Sequence, residues 1–305
     1  MIIAVDHGNS TIKTLNHTFP SGLKESMTLP PLVEDVISMN NRFWSLSGKR
    51  IPYMRDKTKD DRFYILTLFA VMMELKTEGA LAGTRSRKID LAVGLPPDHF
   101  SVQRDSFMQY LKRDVRFHHN DELFELSIDN IWIYPQAYAA TACRMAELKP
   151  HSRVFVVDVG GYTTDVLLLR NGKPDMDYCH SFDMGIIGMG NEIARMVNTK
   201  YDIPIEDDLI GDVLSGKQCV LPRDVQATIR ASAEVYAKRI LDILREHEIN
   251  LRAAPVVFLG GGSLLLRDYL THSYMTSEVI LETDTRANAR GYLLLAQAQA
   301  RRSSR

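Results

Sequence analysis

Two aspartates, each followed by glycine and a hydroxyl residue, are the part of this sequence best suited to chemistry. Asp158 leads into Gly160-Gly161-Tyr162-Thr163, and Asp6 leads into Gly8-Asn9-Ser10-Thr11. Glycine lets the backbone approach a ligand closely, and bare amides beside a carboxylate suit a phosphate chain with a magnesium ion. Lys13 is either a point charge for a phosphate or a solvated strand lysine, and the surrounding motif favours the phosphate.

Each motif lies between two apolar runs, which predicts two buried strands joined by a tight turn. The two copies open the two halves of the chain, so we predict two similar domains that each offer a hairpin to one cleft. The first domain is predicted to span 1–150, with a small inserted subdomain at about 32–58. The second is predicted to span 151–305, with a helical subdomain at about 188–250. A closing helix at 286–300 is predicted to pack back at the hinge.

The bulk composition is that of an ordinary globular protein. The 305 residues are 45% hydrophobic and 25% charged, which favours two domains, and a net charge of −1 argues against broad binding to nucleic acid or membranes. Three scattered cysteines without metal spacing predict buried or idle thiols in a reducing compartment. No apolar run approaches transmembrane length, and the N-terminus predicts a strand rather than a signal peptide, so we expect a cytoplasmic protein.

Two further hairpins are predicted in the first half. Asn40-Asn41 lies between alternating runs and predicts a small hairpin in the inserted segment. His118-His119 is placed in a polar turn that precedes a hairpin of Glu122–Ser127 and Ile131–Tyr134. The charged stretch at 55–60 is predicted to be a solvated surface.

Gln136 opens a predicted helix, Gln136–Glu147, directly before the second phosphate hairpin. A glutamine at such a place either makes a local hydrogen bond at the helix start or orients a water for attack on a terminal phosphate. Its position between the two hairpins favours the second role.

Three further glycine positions stand out. Gly188 is predicted to lie in the turn that opens a helix, Asn191–Lys200, either as a tight turn or as a contact to phosphate or ribose. Gly260-Gly261-Gly262-Ser263 follows a buried strand and precedes a predicted helix, Leu264–Leu270, where a flat backbone suits a base or ribose. Gly291, inside the closing helix, predicts a close crossing with the helix after Gln136.

Together these segments resemble the nucleotide-binding pattern of the actin superfamily, which includes actins, bacterial actin-like proteins, large heat-shock chaperones and sugar kinases. The matching segments are Asp6–Lys13, Pro135–Thr141, Asp158–Asp165, Leu259–Ser263 and Ala287–Leu293. Within the superfamily the chain is most similar to plasmid-segregation actins of the ParM/StbA type, because of its short length, its small insertion and its Asp-x-Gly-Gly-x-Thr-x-Asp motif.

The resemblance implies an α/β, actin-like fold, with two RNase H-like domains around a nucleotide cleft, each a mixed five-stranded sheet with flanking helices. Asp6 and Asp158 would hold Mg²⁺ through water, Asp158 and Gln136 would act in catalysis, and Gln136 would place the attacking water. His7 has no assigned role. The predicted nucleotide contacts are Asp6, Gly8, Asn9, Ser10, Thr11, Lys13, Gly160, Gly161, Tyr162, Thr163, Gly188, Gly260, Gly261, Gly262 and Ser263.

The function implied by the resemblance is ATP hydrolysis coupled to filament assembly, with ATP and ADP as nucleotides and GTP as the alternative. Such a homopolymer would segregate plasmid DNA through an adaptor of the ParR type bound to centromere DNA, with no direct sequence-specific binding to nucleic acid and no membrane contact. Two other hypotheses stay open. A small-molecule kinase of the same fold needs a carboxylate base beside a substrate pocket, and a non-polymerising scaffold usually carries a membrane-binding helix or another inserted subdomain.

Overall fold

The structure, a computed structural model, describes residues 1–31, 33–79 and 86–303. These residues form two compact units, one comprising Met1–Cys143 with the chain from Arg286 onward, the other Arg144–Thr285. The domains, insertion and helical subdomain proposed from the sequence stay predictions, and residue 32 of that insertion and residues 304 and 305 lie outside the described residues.

The first unit contains a mixed sheet of nine strands among the described residues. The order is β3-β2-β1-β7-β9-β8-β5-β6-β4. β1 pairs antiparallel with β2 and parallel with β7, which in turn pairs parallel with β9, so the carboxyl ends of β1, β7 and β9 lie at one edge of the sheet. The strands are β1 (Ile2–His7), β2 (Thr11–Lys13), β3 (Thr18–Pro20), β4 (Leu23–Ser26), β5 (Val36–Met39), β6 (Arg42–Leu46), β7 (Ser86–Leu95), β8 (Val115–His119) and β9 (Glu122–Pro135).

The second unit contains a mixed five-stranded sheet in the order β12-β11-β10-β13-β14. Its antiparallel and parallel pairings repeat those of β3-β2-β1-β7-β9, so the repeated motif of the sequence corresponds to a repeated strand arrangement. The strands are β10 (Arg153–Val159), β11 (Thr164–Arg170), β12 (Lys173–Phe182), β13 (Val256–Leu259) and β14 (Val279–Leu281).

The prediction of five strands per sheet is confirmed for the second unit and is too small for the first, where β8, β5, β6 and β4 continue the sheet. The Asn40-Asn41 hairpin is confirmed, with φ of 54° and 58° at the two asparagines. The placement of His118-His119 in a turn is wrong, because both residues belong to β8 and pair with Ile37 and Ser38 of β5. The turn falls instead at Asn120-Asp121, and β9 runs unbroken through the two segments predicted as a hairpin.

The helices cover these sheets, and among the described residues none is long and apolar enough to cross a membrane. α1 is buried without interruption from Phe63 to Met72, which makes it the centre of the first core. In the second unit, one apolar face of α7 is buried from Ile229 to Leu244. The helices are α1 (Arg62–Thr77), α2 (Pro97–Leu111), α3 (Tyr138–Thr141), α4 (Met145–Leu148), α5 (Ile186–Tyr201), α6 (Asp207–Leu214), α7 (Arg223–Glu246), α8 (Gly260–Leu265), α9 (Arg267–Thr271) and α10 (Ala287–Ser303).

The close helix crossing predicted at Gly291 is confirmed within the first unit. A Cβ built on Gly291 of α10 would lie 1.8 Å from the carbonyl oxygen of Ala139 in α3. No side chain fits between the two backbones, because non-bonded heavy atoms require roughly twice that separation. Glycine therefore sets how closely α10 approaches α3 and the end of β9.

We expect Gly291→Ala to lower the free energy of unfolding by about 1–3 kcal/mol, since the added methyl group overpacks a backbone contact. Gly211→Ala is the matched control, because Gly211 also lies in a helix and an added Cβ there meets nothing within 4 Å. That control should gain up to about 1 kcal/mol of helix propensity. Urea unfolding of both variants measures the difference, and equal effects would contradict the crossing.

Candidate functional site

The first hairpin brings Asp6 and Lys13 together. Asp6 is 4% exposed near the end of β1, and Lys13 lies directly opposite it on β2. Residues opposite each other on antiparallel strands share a face of the sheet, so the carboxylate and the ammonium group lie on the same side. The predicted phosphate turn, Gly8-Asn9-Ser10, connects these two strands.

Donors outside this turn bind the carbonyl groups of His7, Gly8 and Ser10. Ser21 donates its hydroxyl to the Gly8 oxygen at 2.5 Å and its amide to the Ser10 oxygen at 3.0 Å, and Lys57 donates to the His7 oxygen. The C=O and N–H of one trans peptide point in opposite directions. Each amide that follows one of these carbonyls, among them those of Gly8 and Asn9, therefore points away from the donor that binds that carbonyl, as amides do in backbone sites for anions.

Lys57 and Ser21 were missed in the sequence, where Lys57 fell within a stretch predicted to be solvated. Lys57 begins a short 3₁₀ turn, and Asp56 caps that turn by accepting from the amide and hydroxyl of Thr58 at 3.0 and 2.7 Å. Its ammonium group also lies 5.2 Å from the centre of the Phe63 ring. The Asp-x-Thr capping motif of the turn before α1 is the local sequence signal that could have predicted an ordered position for this lysine.

His7 links the turn to α1 as a neutral ring. Its Nε2 lies 2.8 Å from the Thr67 hydroxyl, which donates its only hydrogen to the Phe63 carbonyl. The hydroxyl therefore accepts from His7, and Nε2 carries the ring proton. Burial, followed by the charge of Lys57, lowers the pKa of His7 to about 3.

α1 also fixes the far end of the hairpin. Buried Glu74 accepts from the Thr14 hydroxyl at 2.5 Å and from the Asn16 amide and side chain, both at 2.9 Å. With His7 bound at one end and Thr14 and Asn16 at the other, α1 holds both strands that carry the turn.

The structure places Gln136 beside Asp6. Gln136 follows the last residue of β9, and its amide donates to the Leu95 carbonyl at the end of β7, at 2.8 Å. Its side-chain Nε2 donates to Asp6 Oδ1 at 3.0 Å. The helix predicted from Gln136 begins later, at Tyr138, and is divided into α3, a 3₁₀ turn at Ala142–Arg144 and α4.

The second hairpin has the same strand arrangement as the first, but one of its facing residues has the opposite charge. Asp158 on β10 lies opposite Asp165 on β11, where the first hairpin has a lysine. Asp165 accepts from the Thr163 hydroxyl at 3.1 Å and from the Ser181 hydroxyl at 2.5 Å. The Gly160 amide donates to the Thr163 carbonyl at 2.8 Å, so this predicted phosphate donor is bound within the turn.

The start of α5 binds the carbonyls of the second turn. The amides of Ile186 and Ile187 donate to the oxygens of Gly160 and Gly161 at 3.1 and 2.9 Å. A Cβ on Gly185 would lie 2.3 Å from the Gly161 oxygen, so this approach requires glycine. The amides that follow these two carbonyls point away from α5, which repeats the arrangement of the first turn.

Gly188 lies inside α5 and not in the turn before it, because α5 begins at Ile186 and not at Asn191 as predicted. A Cβ on Gly188 would lie 3.2 Å from the Tyr236 hydroxyl, which donates to the Gly185 carbonyl at 2.9 Å. Gly188 thus makes room for the side chain that fixes the start of α5, and its contact with a nucleotide stays a prediction.

The predicted glycine loop at 260–262 is the first turn of α8, so the helix expected from Leu264 begins earlier. Gly260 has φ of +88°, and its Cβ would lie 2.2 Å from Asp158 Oδ1. Gly262 packs on Val159, whereas a Cβ on Gly261 would meet nothing within 4 Å. Gly261 is therefore the glycine of the three that leaves room for a ligand.

Ser263, predicted to contact the nucleotide, is fully buried. Its hydroxyl donates to the Leu259 carbonyl at 2.6 Å, so the side chain stabilises the junction between β13 and α8. The role of this residue in the structure is internal support.

An aspartate precedes each of the two turns, Asp6 in the first unit and Asp158 in the second, and magnesium binding through water at these carboxylates stays a prediction. The described part of the chain contains no group of three or more His, Cys, Asp or Glu side chains that could hold a metal ion directly. Magnesium keeps several of its waters and uses one or two carboxylates, so a single aspartate beside an amide-lined turn matches its chemistry.

Two family models match the chain. Residues 4–138 match the model described as the N-terminal domain of actin-like proteins, and residues 156–272 match the C-terminal part of the archaeal actin homologue MreB-like. No curated protein matches the sequence.

Solved structures match over nearly the whole chain. Ta0583, an archaeal actin homolog, in complex with ADP shows 19% identity and a TM-score of 0.76, covering 97% of this chain and 99% of that chain. The apo psk41 ParM protein shows 14% identity and a TM-score of 0.73, covering 100% and 99%. A 15-stranded ParM filament from Clostridium botulinum shows 17% identity and a TM-score of 0.73, covering 97% and 99%. The chain therefore has the actin-like fold. Its two halves match family models of actin-like proteins.

We expect the buried His7 to make the protein sensitive to acid. The pKa of His7 is about 3 in the fold and near 6.5 in the unfolded chain, so below pH 6.5 the unfolded state binds a proton that the native state excludes. The contribution of His7 to stability is complete above pH 6.5 and declines toward pH 3, by about 1.4 kcal/mol per pH unit.

The test is urea unfolding of His7→Gln across this pH range. Glutamine keeps an N–H for Thr67 and does not titrate, so the acid loss of stability should become shallower. His118→Gln, at an exposed position, is the control for losing a histidine and should keep the wild-type slope. A wild-type slope in His7→Gln would show that His7 does not carry the effect.

Proposed function

We propose that this protein is an ATPase of the ParM type that assembles into filaments with ATP and magnesium. The observation that carries the proposal is the hydrogen bond from Gln136 to Asp6 at the edge of the first sheet, beside a turn whose amides point outward. A second turn of the same design follows Asp158 in the other unit. The nucleotide is ATP, with GTP as the alternative to be tested.

The chemistry would depend on positioning and charge. A carboxylate only accepts hydrogen bonds, so the Gln136 carboxamide presents Nε2 to Asp6, and its Oε1 is the end that accepts from an attacking water. Asp6 and Asp158 would hold the magnesium ion through water, and the ion would neutralise charge on the phosphates. The amides of both turns would stabilise the phosphate oxygens, as preorganised donors do in transition states.

Filament assembly is part of the proposal because solved relatives with this fold include a ParM filament and an Alp12 filament. The sequence resemblance adds a ParR-type adaptor bound to centromere DNA, plasmid DNA as cargo and a cytoplasmic location. A small-molecule kinase is less favoured, because Asp165, the carboxylate nearest to Asp158 in the ladder, accepts hydrogen bonds from Thr163 and Ser181. A non-polymerising scaffold is an outcome of the assembly experiment.

We expect light scattering to rise when ATP and magnesium are added and to fall again as phosphate is released. The physical reason is that the γ-phosphate supplies the contacts that favour the assembling state, and hydrolysis removes them. Electron microscopy of the same samples should show filaments. Absence of sedimentable polymer at high protein concentration with ATP, with GTP and with a non-hydrolysable analogue would favour the kinase or the scaffold.

We expect Gln136→Ala to slow phosphate release by about tenfold or more, because the attacking water loses its orientation. ATP binding and assembly should stay within about twofold of wild type, since no phosphate contact is removed. Gln226→Ala is the control, because Gln226 donates to a backbone carbonyl in the second unit, far along the chain from both turns. Unchanged phosphate release in Gln136→Ala would remove this residue from the mechanism.

A further inference from the structure

The residue after Gln136 has an unusual backbone conformation. Ala137 has φ of 61° and ψ of −53°, and its side chain is fully buried. The Tyr138 amide donates to the Gln136 carbonyl at 2.6 Å, which closes a three-residue turn around Ala137. This is the γ-turn with positive φ, which is rare and strained for a residue that has a Cβ.

A side chain from a distant part of the sequence holds this turn. The Ala137 amide donates to Asn288 Oδ1 at 3.0 Å, and Asn288, at the start of α10, is 8% exposed. The preceding amide, that of Gln136, donates to the Leu95 carbonyl at 2.8 Å. The turn is thus fixed by β7 on one side and by α10 on the other.

The position of α10 is itself set by backbone packing. Three residues after Asn288, Gly291 brings α10 against the carbonyl of Ala139. The Asn288 side chain therefore extends from a helix whose distance to the turn is set by this contact. A movement of the helix toward the turn or away from it would disturb the contact. A strained conformation persists only where its surroundings fix it in this way.

The turn begins at Gln136, so its conformation constrains the backbone that carries the Gln136 side chain. If Ala137 relaxed to negative φ, the peptide between Gln136 and Ala137 would have to rotate, which would change the ψ angle of Gln136. Strain of this kind at a site of positioned side chains is a recognised form of preorganisation, because it holds a group where the reaction requires it.

We propose that Asn288 is a positioning residue: by binding the Ala137 amide, it keeps the strained turn that holds the Gln136 carboxamide against Asp6. This inference rests on the proposed ATPase function, in which Gln136 orients the attacking water. It adds a residue that does not contact the nucleotide and acts through the backbone of its neighbour. The alternative is that Asn288 only stabilises the start of α10.

The test compares Asn288→Ala, Ala137→Gly and the double variant in single-turnover phosphate release and in ATP binding. Asn288→Ala should slow phosphate release about tenfold and leave the dissociation constant of ATP within about twofold. Glycine adopts positive φ without steric conflict, so Ala137→Gly alone should stay near the wild-type rate. In the double variant, the turn no longer depends on the hydrogen bond between the amide of residue 137 and Asn288. Most of the lost rate of phosphate release should therefore return.

Gln297→Ala is the matched control, because it removes a carboxamide from an exposed position of the same helix. It should leave both the rate and ATP binding unchanged. A merely structural role for Asn288 predicts lower stability with no rescue by Ala137→Gly, so the rescue separates the two explanations. If Asn288→Ala fails to fold and the double variant folds, the result supports the proposal that Asn288 keeps the turn. If the double variant also fails to fold, the proposal is overturned.

The remaining outcomes separate this inference from the function on which it rests. A wild-type protein that binds but does not hydrolyse ATP or GTP would overturn the proposed function and the inference with it. Hydrolysis by the wild type with an unchanged rate in Asn288→Ala would overturn the inference alone. A slow Asn288→Ala that glycine at position 137 does not restore would also overturn it.

Discussion

Both candidate phosphate turns depend on one property of the peptide bond, namely that its C=O and N–H groups point in opposite directions. A turn offers a row of amides on one side only if donors meet its carbonyls on the other, because a buried carbonyl without a partner costs about 1–3 kcal/mol. Ser21 and Lys57 are those donors in the first unit, and the first amides of α5 are those donors in the second. Further contacts hold the segments around the turns: α1 binds the first hairpin through His7 and Glu74, and the Tyr236 hydroxyl binds the residue before α5.

The parallel strands of the first sheet bring the candidate reactive side chains together. β1, β7 and β9 bring Asp6, Leu95 and Gln136 to one edge, although these residues lie far apart in the sequence. The strand arrangement brings them close together, and the turn at Ala137 then orients the carboxamide. The sheet thus positions the turn, and the turn positions the side chain. For this reason a contact with α10, at the other end of the chain, affects the Gln136 carboxamide beside β1.

The features that the sequence predicted are those encoded in short continuous segments. Asp6, the glycine turn and Lys13 lie within one hairpin, and the Asn40-Asn41 turn follows from local backbone preferences. Lys57 and Asn288 could not be predicted in the same way, because their partners lie 50 and 151 residues away. The starts of α5 and α8 were placed too late for a related reason: both helices begin in glycine-rich segments that are held by close contacts with the strand and turn around Asp158, and not by their own propensity.

The two turns share a backbone but not a charge. Lys13 faces Asp6 across the first ladder, and Asp165 faces Asp158 across the second. A repeat that has kept its geometry while exchanging an ammonium for a carboxylate at one position is no longer interchangeable with its counterpart. A chain made of two second halves would have a pair of facing carboxylates in each hairpin and no ammonium group at this position.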